Sequence, residues 1–510
     1  MDKKKFIINL LSSVISALCS VVISFFITPY LIKTIGKEAY GFYPLAGSFI
    51  FYITIFTTSI NSMFGRYVLI SYEKKERDKI NNYFNSVFFV NILISIILSI
   101  LFFVFYTIIP NVIEIPNHLV FDVKILFLFI FLSLIINLVT SVFVAIGFIF
   151  NRLDINAIRN ILGNFINITL ILLLLYFCFP KIYFLGIGSL AMAVYVGISN
   201  FYITKKYLPD LKFSKSFISK NIIKVLFYAG VWNSVMSLSD ALFYQADLFI
   251  VNTNLGVSEM GNLALTKQFP SLLLILSNII IPVFIPTFVK FYANGEADEL
   301  KKYIGICFKL SSLILLIPVA GIVIYSNIFY TLWTPTEDIN KLSSLLILIL
   351  LKYVIQLSIE PIFSIYITLN KIKIPALVTL GMSILNLALI FTLLKFTKLG
   401  IYAIPIAAMI CTSLNHLIFS PLYVSKILNY KSIVIYKLII QGLLVFCIAL
   451  GVNYMIKVNT VEINKWSLFV IANVIGGLIS LILGVFVVFK RSQLELLLLL
   501  VKNKINAGKE

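Results

Sequence analysis

The chain is built from long apolar stretches separated by short polar breaks. Each stretch runs for about 20 residues with few or no charges, and its hydrophobicity is continuous, not alternating. About 20 helical residues cross a hydrocarbon core. A continuous run reads as a helix, because lipid offers the backbone no hydrogen-bond partner. The pattern predicts fourteen spans, at about 6–32, 42–65, 83–109, 124–150, 161–179, 183–204, 225–252, 263–289, 304–326, 342–369, 376–394, 400–424, 438–456 and 466–489. The first lacks a small-residue cleavage site and is expected to stay as a spanning helix. The tail from Lys490 holds one further apolar run, Leu494–Val501, too short to span.

Composition agrees with this pattern. The 510 residues are 60% hydrophobic and 12% charged, whereas soluble domains carry about 25% charge. A net charge of +20 suggests nucleic acid. The basic residues, however, concentrate in alternate loops, as in Lys74–Lys79 and Lys205–Lys224. That is the mark of membrane orientation, and it puts both termini in the cytoplasm with no nucleic-acid partner. The five cysteines are scattered in apolar segments without metal or disulfide spacing. No P-loop, G-x-S-x-G or H-E-x-x-H appears, so neither an ATPase nor another enzyme is indicated.

The two halves match at one junction. LIKTIGKEAYG at Leu31–Gly41 and VNTNLGVSEMG at Val251–Gly261 both carry glycines five apart, at an offset of 220 residues. Leu45 then pairs with Leu265 and Phe49 with Phe269. The fold class expected is all-α and polytopic, with two parallel six-helix bundles plus two C-terminal transmembrane helices. The expected lobes are residues 1–210 and 211–436, followed by the helix pair within 437–489 and a cytoplasmic tail at 490–510.

Polar seams run along several spans. In the seventh, Asn233, Ser237, Asp240, Tyr244 and Asp247 step by four, three, four and three, which places them on one face of an α-helix. A carboxylate in hydrocarbon is expensive, so this face should meet protein or a watery cavity. Asp240 and Asp247 are therefore candidates for a substrate or ion cavity, or for a structural ion pair with a base such as Lys267. The first span carries Asn9, Ser13, Ser16, Ser20, Ser24 and Thr28, and the second Ser48, Tyr52, Ser59, Ser62 and Arg66. The eighth has Lys267, Ser271 and Asn278 among Pro270, Pro282 and Pro286. The tenth has Lys352, Gln356 and Glu360 at four-residue steps before Pro361. Asp240, Asp247, Lys267, Lys352, Glu360 and Arg66 form the expected cavity set. Arg152 and Arg159, near the cytoplasmic ends, are either membrane anchors or phosphate contacts at the cytoplasmic mouth, since arginine grips phosphate with two donors. His118 and His416 read as structural, and Trp232 and Trp466 as interfacial anchors.

FFITPYLIKTIGKEAYGFYPL at Phe25–Leu45 and WNSVMSLSDALFYQADLFIVNTNLG at Trp232–Gly256 carry a resemblance. The chain resembles the polysaccharide-transporter branch of the MATE-like (multidrug/oligosaccharidyl-lipid/polysaccharide) flippase superfamily. More narrowly, it is similar to bacterial O-antigen or repeat-unit flippases of the Wzx type. The resemblance implies a V-shaped pair of bundles in the bacterial cytoplasmic membrane. The implied substrate is an undecaprenyl-pyrophosphate-linked glycan, carried to the outer leaflet by alternating access. Membrane lipid and other polysaccharide assembly proteins are the implied partners, with H+ or Na+ as coupling ion and no cofactor. Asp247 matches an acidic position late in the seventh span, and Lys267 and Arg66 correspond to cavity cations. Basic side chains within the spans are few, which leaves room for a neutral repeat unit. Two alternatives stay open: a cation-coupled multidrug exporter of the same fold, which would use the aspartates, and a lipid-linked peptidoglycan-precursor flippase, which would carry more arginine in its first lobe.

Overall fold

A computed structural model describes residues 3–150, 152–369, 371–460 and 462–489. The expected tail, with Leu494–Val501, lies outside them. The described residues form helices and no strand. In order they are α1 Lys3–Ile35, α2 Lys37–Glu73, α3 Arg77–Val112, α4 Val120–Ile149, α5 Leu153–Phe177, α6 Tyr183–Tyr207, α7 Lys220–Asp240 and α8 Ala246–Leu255. There follow α9 Val257–Thr266, α10 Gln268–Ile280, α11 Ile285–Ala293, α12 Ala297–Trp333, α13 Ile339–Ile359, α14 Pro361–Thr368 and α15 Lys373–Phe396. The last are α16 Ala403–Ser413, α17 Ser420–Leu428, α18 Ser432–Asn459 and α19 Trp466–Val488.

Among the described residues, twelve helical stretches are long and apolar enough to span, and α2, bent by 64° between Ile55 and Thr57, makes a thirteenth. The expected span at 263–289 is not one rod. It breaks at Lys267 and again at a 3-10 turn, Ile281–Phe284, giving α9, α10 and α11. This stretch carries Pro270, Pro282 and Pro286, and proline removes a backbone donor and clashes with the preceding turn. Large apolar side chains face outward along the spans, such as Phe103 at 72% and Ile100 at 62% exposure. A lipid-facing surface has this character, because association between spans rests on close packing and polar contacts.

Contacts divide the chain into two compact units. One comprises residues 1–265 with 376–391, and the other 266–375 with 392–510. This differs from a boundary at 210/211, and the reason lies in the loop after α6. The Asn85 amide donates to the Lys212 carbonyl at 2.7 Å and its oxygen accepts from the Ser214 N–H at 2.9 Å. Asn81 accepts from the Lys212 N–H at 3.0 Å, and Ser86 from the Ser219 N–H at 2.9 Å. The loop is thus fastened to the start of α3, and α7 is delivered onto α2. The core of this unit joins Ile60, Phe64 and Val68 of α2 to Phe84 of α3, Phe143 and Ile146 of α4 and Leu226 of α7.

The second unit is centred on α12, whose Ile304, Cys307 and Phe308 pack with Ile362 and Tyr366 of α14, Val424 of α17 and Ile439 of α18. Its last hairpin is docked by small residues. A Cβ on Gly442 would stand 2.7 Å from Ser312 Oγ, and one on Gly484 would stand 2.7 Å from a Leu313 methyl.

The two glycine junctions have the same backbone. Gly36 between α1 and α2 has φ 83° and ψ 154°, and Gly256 between α8 and α9 has φ 92° and ψ 172°. Glycine reaches such angles without a Cβ penalty. Within the first unit the junctions also touch. A Cβ on Gly41 would lie 3.3 Å from Gly261 Cα, and one on Gly261 would lie 2.9 Å from the Lys37 carbonyl oxygen.

Candidate functional site

The seams of α2 and α7 are directed largely at each other. The Asn233 amide donates to Ser62 Oγ at 3.1 Å, the Ser234 hydroxyl to the Ile55 carbonyl at 3.2 Å and the Tyr52 hydroxyl to the Ala241 carbonyl at 3.2 Å. Ser48 donates to Gln245 Oε1 at 3.0 Å. Gly230 permits the approach, since a Cβ there would collide with the Ser59 carbonyl. The bend in α2 follows from these contacts. Ser234 reaches the Ile55 carbonyl at the bend, while Thr57 and Thr58 donate to the Thr54 carbonyl at 2.9 and 2.8 Å. Side chains that enter the backbone ladder kink a helix.

A second irregularity lies opposite. Between α7 and α8, Ala241–Gln245 forms a π turn. A π turn holds one residue more than an α turn, so the helix beyond it is rotated by about 100°. The single α-helical face expected for Asn233 through Asp247 is therefore broken. Asp240 ends α7, and Asp247 lies in the first turn of α8, where its Oδ1 accepts from the Leu248 N–H at 2.7 Å. Both are half-buried. Beyond them Asn252, fully buried, clamps the chain after α3: it accepts from the Glu114 N–H at 2.9 Å and donates to the Glu114 carbonyl at 3.0 Å.

The other expected residues divide by environment. Arg66 is exposed on α2, one turn beyond Ser62, with no hydrogen bond or ion pair among the described residues. Arg152 is held by Asp154 at 2.9 Å and reaches the Tyr207 hydroxyl at 3.4 Å. Arg159 is 5% exposed. Its guanidinium donates to the Ile155 carbonyl at 3.1 Å, to Asn156 Oδ1 at 2.7 Å and to Asn200 Oδ1, tying α5 to α6. The expectation of a phosphate contact meets a guanidinium already engaged inside the bundle. In the second unit, Lys267 is half-buried at the break before α10. Lys352 is 5% exposed with its ammonium 4.2 Å from the Tyr353 ring centre, and Gln356 is buried one turn later. Glu360 caps α13 where Pro361 starts α14. Lys352, Gln356 and Glu360 follow one another at four-residue steps along α13 to its C-cap and belong to the second unit, while Asp240, Asp247 and Arg66 belong to the first. The seam of α1 serves packing in part: Ser20 accepts from the Asn164 amide at 2.6 Å, and Asn9 from the Asp154 N–H at 3.2 Å.

One feature was missed in the sequence. A groove of about 520 Å³ lies between the bend of α2 and the middle of α4, lined by Thr54, Thr58, Asn61, Ser62, Asn137 and Ser141 with apolar neighbours Ile50 and Ile53. Among the described residues, its lining contains no charged side chain. The sequence held a signal in two polar rows at four-residue steps, Thr54–Thr58–Ser62 and Ser133–Asn137–Ser141, the second inside an otherwise apolar span. A smaller apolar pocket of about 220 Å³ adjoins it and shares Ile50 and Ile53, with Phe49, Phe102, Phe105 and Phe127 in its wall.

Comparison with known proteins fits this architecture. The solved structure of the lipid II flippase MurJ, inward closed, superimposes with a TM-score of 0.69 at 18% identity, covering 94% of this chain and 98% of that one. An inward-facing multidrug resistance MATE family transporter of the MOP superfamily gives 0.60 at 14% identity, covering 83% of this chain and 98% of that one. The chain therefore has the all-α MATE-like fold of multi-pass membrane proteins. The uncharacterized membrane protein EpsK of Bacillus subtilis (strain 168) is 32% identical over 461 residues, which is 89% of this chain and 91% of EpsK. Residues 3–292 match the family described as polysaccharide biosynthesis protein. The chain belongs to that polysaccharide biosynthesis protein family.

Proposed function

We propose that the chain is a flippase that carries a polyprenyl-diphosphate-linked glycan across the bacterial cytoplasmic membrane by alternating access. The observation that carries this reading is membership of the polysaccharide biosynthesis family by a chain whose fold is that of a membrane transporter. Coverage supports a flippase over a drug exporter. The MATE transporter covers 83% of this chain and the lipid II flippase 94%. The difference is about the length of the α18–α19 pair, residues 432–488. The physical need is plain. Each sugar hydroxyl or amide stranded in hydrocarbon costs roughly 2–7 kcal/mol, so a glycan head group needs a polar path while its prenyl tail stays in lipid. Energy for directional transport comes from an H+ or Na+ gradient, for which Asp240, Asp247 and Glu360 are the candidate carriers.

Within that class, the family description favours a polysaccharide repeat unit, of which an O-antigen unit is one case. The likeness to the lipid II flippase favours a peptidoglycan precursor. The protein reconstituted alone into liposomes distinguishes them. Three probes are compared: a fluorescent undecaprenyl-diphosphate oligosaccharide, the corresponding disaccharide-pentapeptide, and an organic dye cation. Leaflet transfer of the first supports the repeat-unit reading. Transfer of the second alone assigns the peptidoglycan precursor. Gradient-driven movement of the dye with neither lipid transferred overturns the flippase.

A further inference from the structure

Asn137 is the eighteenth of the thirty residues of α4, so it sits near mid-membrane, and it is exposed. Thr54 and Ser62 on α2 are exposed as well. An uncharged amide facing hydrocarbon would be left without partners, so exposed polar side chains at this depth belong to a water-filled recess. The groove between the α2 bend and α4 is that recess. It is held open by structure beneath it. Asn61 and Asn91 exchange amide hydrogen bonds at 3.2 and 3.3 Å, and Ser141 bonds to both, at 3.3 and 3.0 Å. Asn91, fully buried, is anchored in turn to the Leu138 carbonyl at 3.1 Å. The volume of about 520 Å³ suits a small oligosaccharide portion.

We infer that this groove is a subsite for uncharged sugar residues of the transported lipid. The inference rests on the glycan-flippase reading. Amides offer donors and acceptors together, as sugar hydroxyls require, and hydroxyl side chains rotate to either role. The described lining, uncharged, offers nothing to neutralise a uronic acid or a phosphorylated sugar, and burying such a group there would be penalised. The chemistry therefore selects neutral hexose-type units. The diphosphate is bound elsewhere.

Equilibrium binding to the full chain in detergent tests this, using bare undecaprenyl diphosphate, its neutral hexose disaccharide conjugate and its hexuronic acid conjugate. The wild type is expected to bind the neutral conjugate at least tenfold tighter than the bare lipid. Asn137→Leu should remove most of that gain and leave the bare lipid unchanged. Asn137→Lys should turn the preference toward the hexuronic conjugate, a gain that misfolding cannot imitate. Equal wild-type binding of bare lipid and conjugates, or an undiminished preference in Asn137→Leu, overturns the subsite while leaving the flippase reading standing. Failure of Asn137→Lys to insert also overturns it, by showing that the position faces hydrocarbon. Wild-type protein that binds none of the three lipids overturns the flippase reading and the subsite together.

Discussion

Two arginines near the ends of spans show how residue type alone misleads. Arg159 is buried and engaged by Asn156, Asn200 and the Ile155 carbonyl. Arg66 is exposed and without an ion-pair partner among the described residues. Sequence placed both among phosphate or cavity candidates, since both sit at the polar edge of an apolar run. Their environments predict opposite phenotypes. Arg159→Leu leaves the buried Asn200 amide short of a donor, at about 1–3 kcal/mol, and frees the half-buried Asn156 as well. Its thermal unfolding midpoint in detergent should fall by several degrees, and any transport that survives should keep its substrate preference. Arg66→Gln removes a charge that the fold does not use. Its unfolding midpoint should match the wild type, while affinity for bare undecaprenyl diphosphate drops about tenfold. A stable Arg66→Gln protein with unchanged affinity would make Arg66 an orientation anchor only.

At the scale of elements, the apolar runs located the spans, and the glycine pairs located the junctions at Gly36 and Gly256. What the sequence did not reveal was departure from regular helix. The bend of α2 contains no proline at Ile55–Thr57. It coincides with hydroxyls that enter the backbone ladder, those of Thr57 and Thr58 from α2 itself and that of Ser234 from α7. The π turn at Ala241–Gln245 has no composition of its own, and it moves Asp247 off the stripe that simple counting assigned. Candidate residues were legible as polar positions in apolar spans, but their partners were not. The seam of α2 meets α7 at Ser48, Tyr52 and Ser62, whereas Asn137 lines a groove. The π turn carries its own prediction. Deleting Leu242 should let α7 continue as an α-helix into α8 and rotate α8 by about 100°. Asn252 would then lose the Glu114 backbone, and Gly261 its seat beside Lys37. Transport should be abolished and the unfolding midpoint lowered. Tyr52→Phe, which removes only the bond to the Ala241 carbonyl, should cost about 1 kcal/mol and retain transport. If the Leu242 deletion flips lipid normally, the π turn has no mechanical role.

For the whole molecule, the terminal helix pair and the charge asymmetry bear on how the chain is built into the membrane. The α18–α19 hairpin is integral to the second unit. Tyr325 of α12 donates to the Asn453 carbonyl at 3.2 Å, and the Lys457 ammonium to the Ile324 carbonyl at 2.8 Å. Gly321 of α12 lies against the Asn473 side chain of α19, and Gly476 of α19 against the Asn453 side chain of α18. A pair docked this closely is built into the packing around α12 rather than trailing from it. Orientation in the membrane follows from which loops face the cytoplasm. Arg77, Lys79, Lys205, Lys206, Lys212, Lys215, Lys220 and Lys224 gather at the ends of α2–α3 and α6–α7. The turn after α12 carries instead Glu337 and Asp338. Basic loops stay on the side of synthesis, so the loop at Ser216 should be cytoplasmic and the turn at Thr336 external. Both residues are exposed. In a chain with its five native cysteines replaced, Ser216→Cys should resist a membrane-impermeant maleimide in intact cells and react in inverted vesicles. Thr336→Cys should do the reverse. A cytoplasmic glycan lipid would then enter from the Ser216 side and leave toward Thr336. The opposite labelling would invert the molecule and overturn the orientation read from its basic loops.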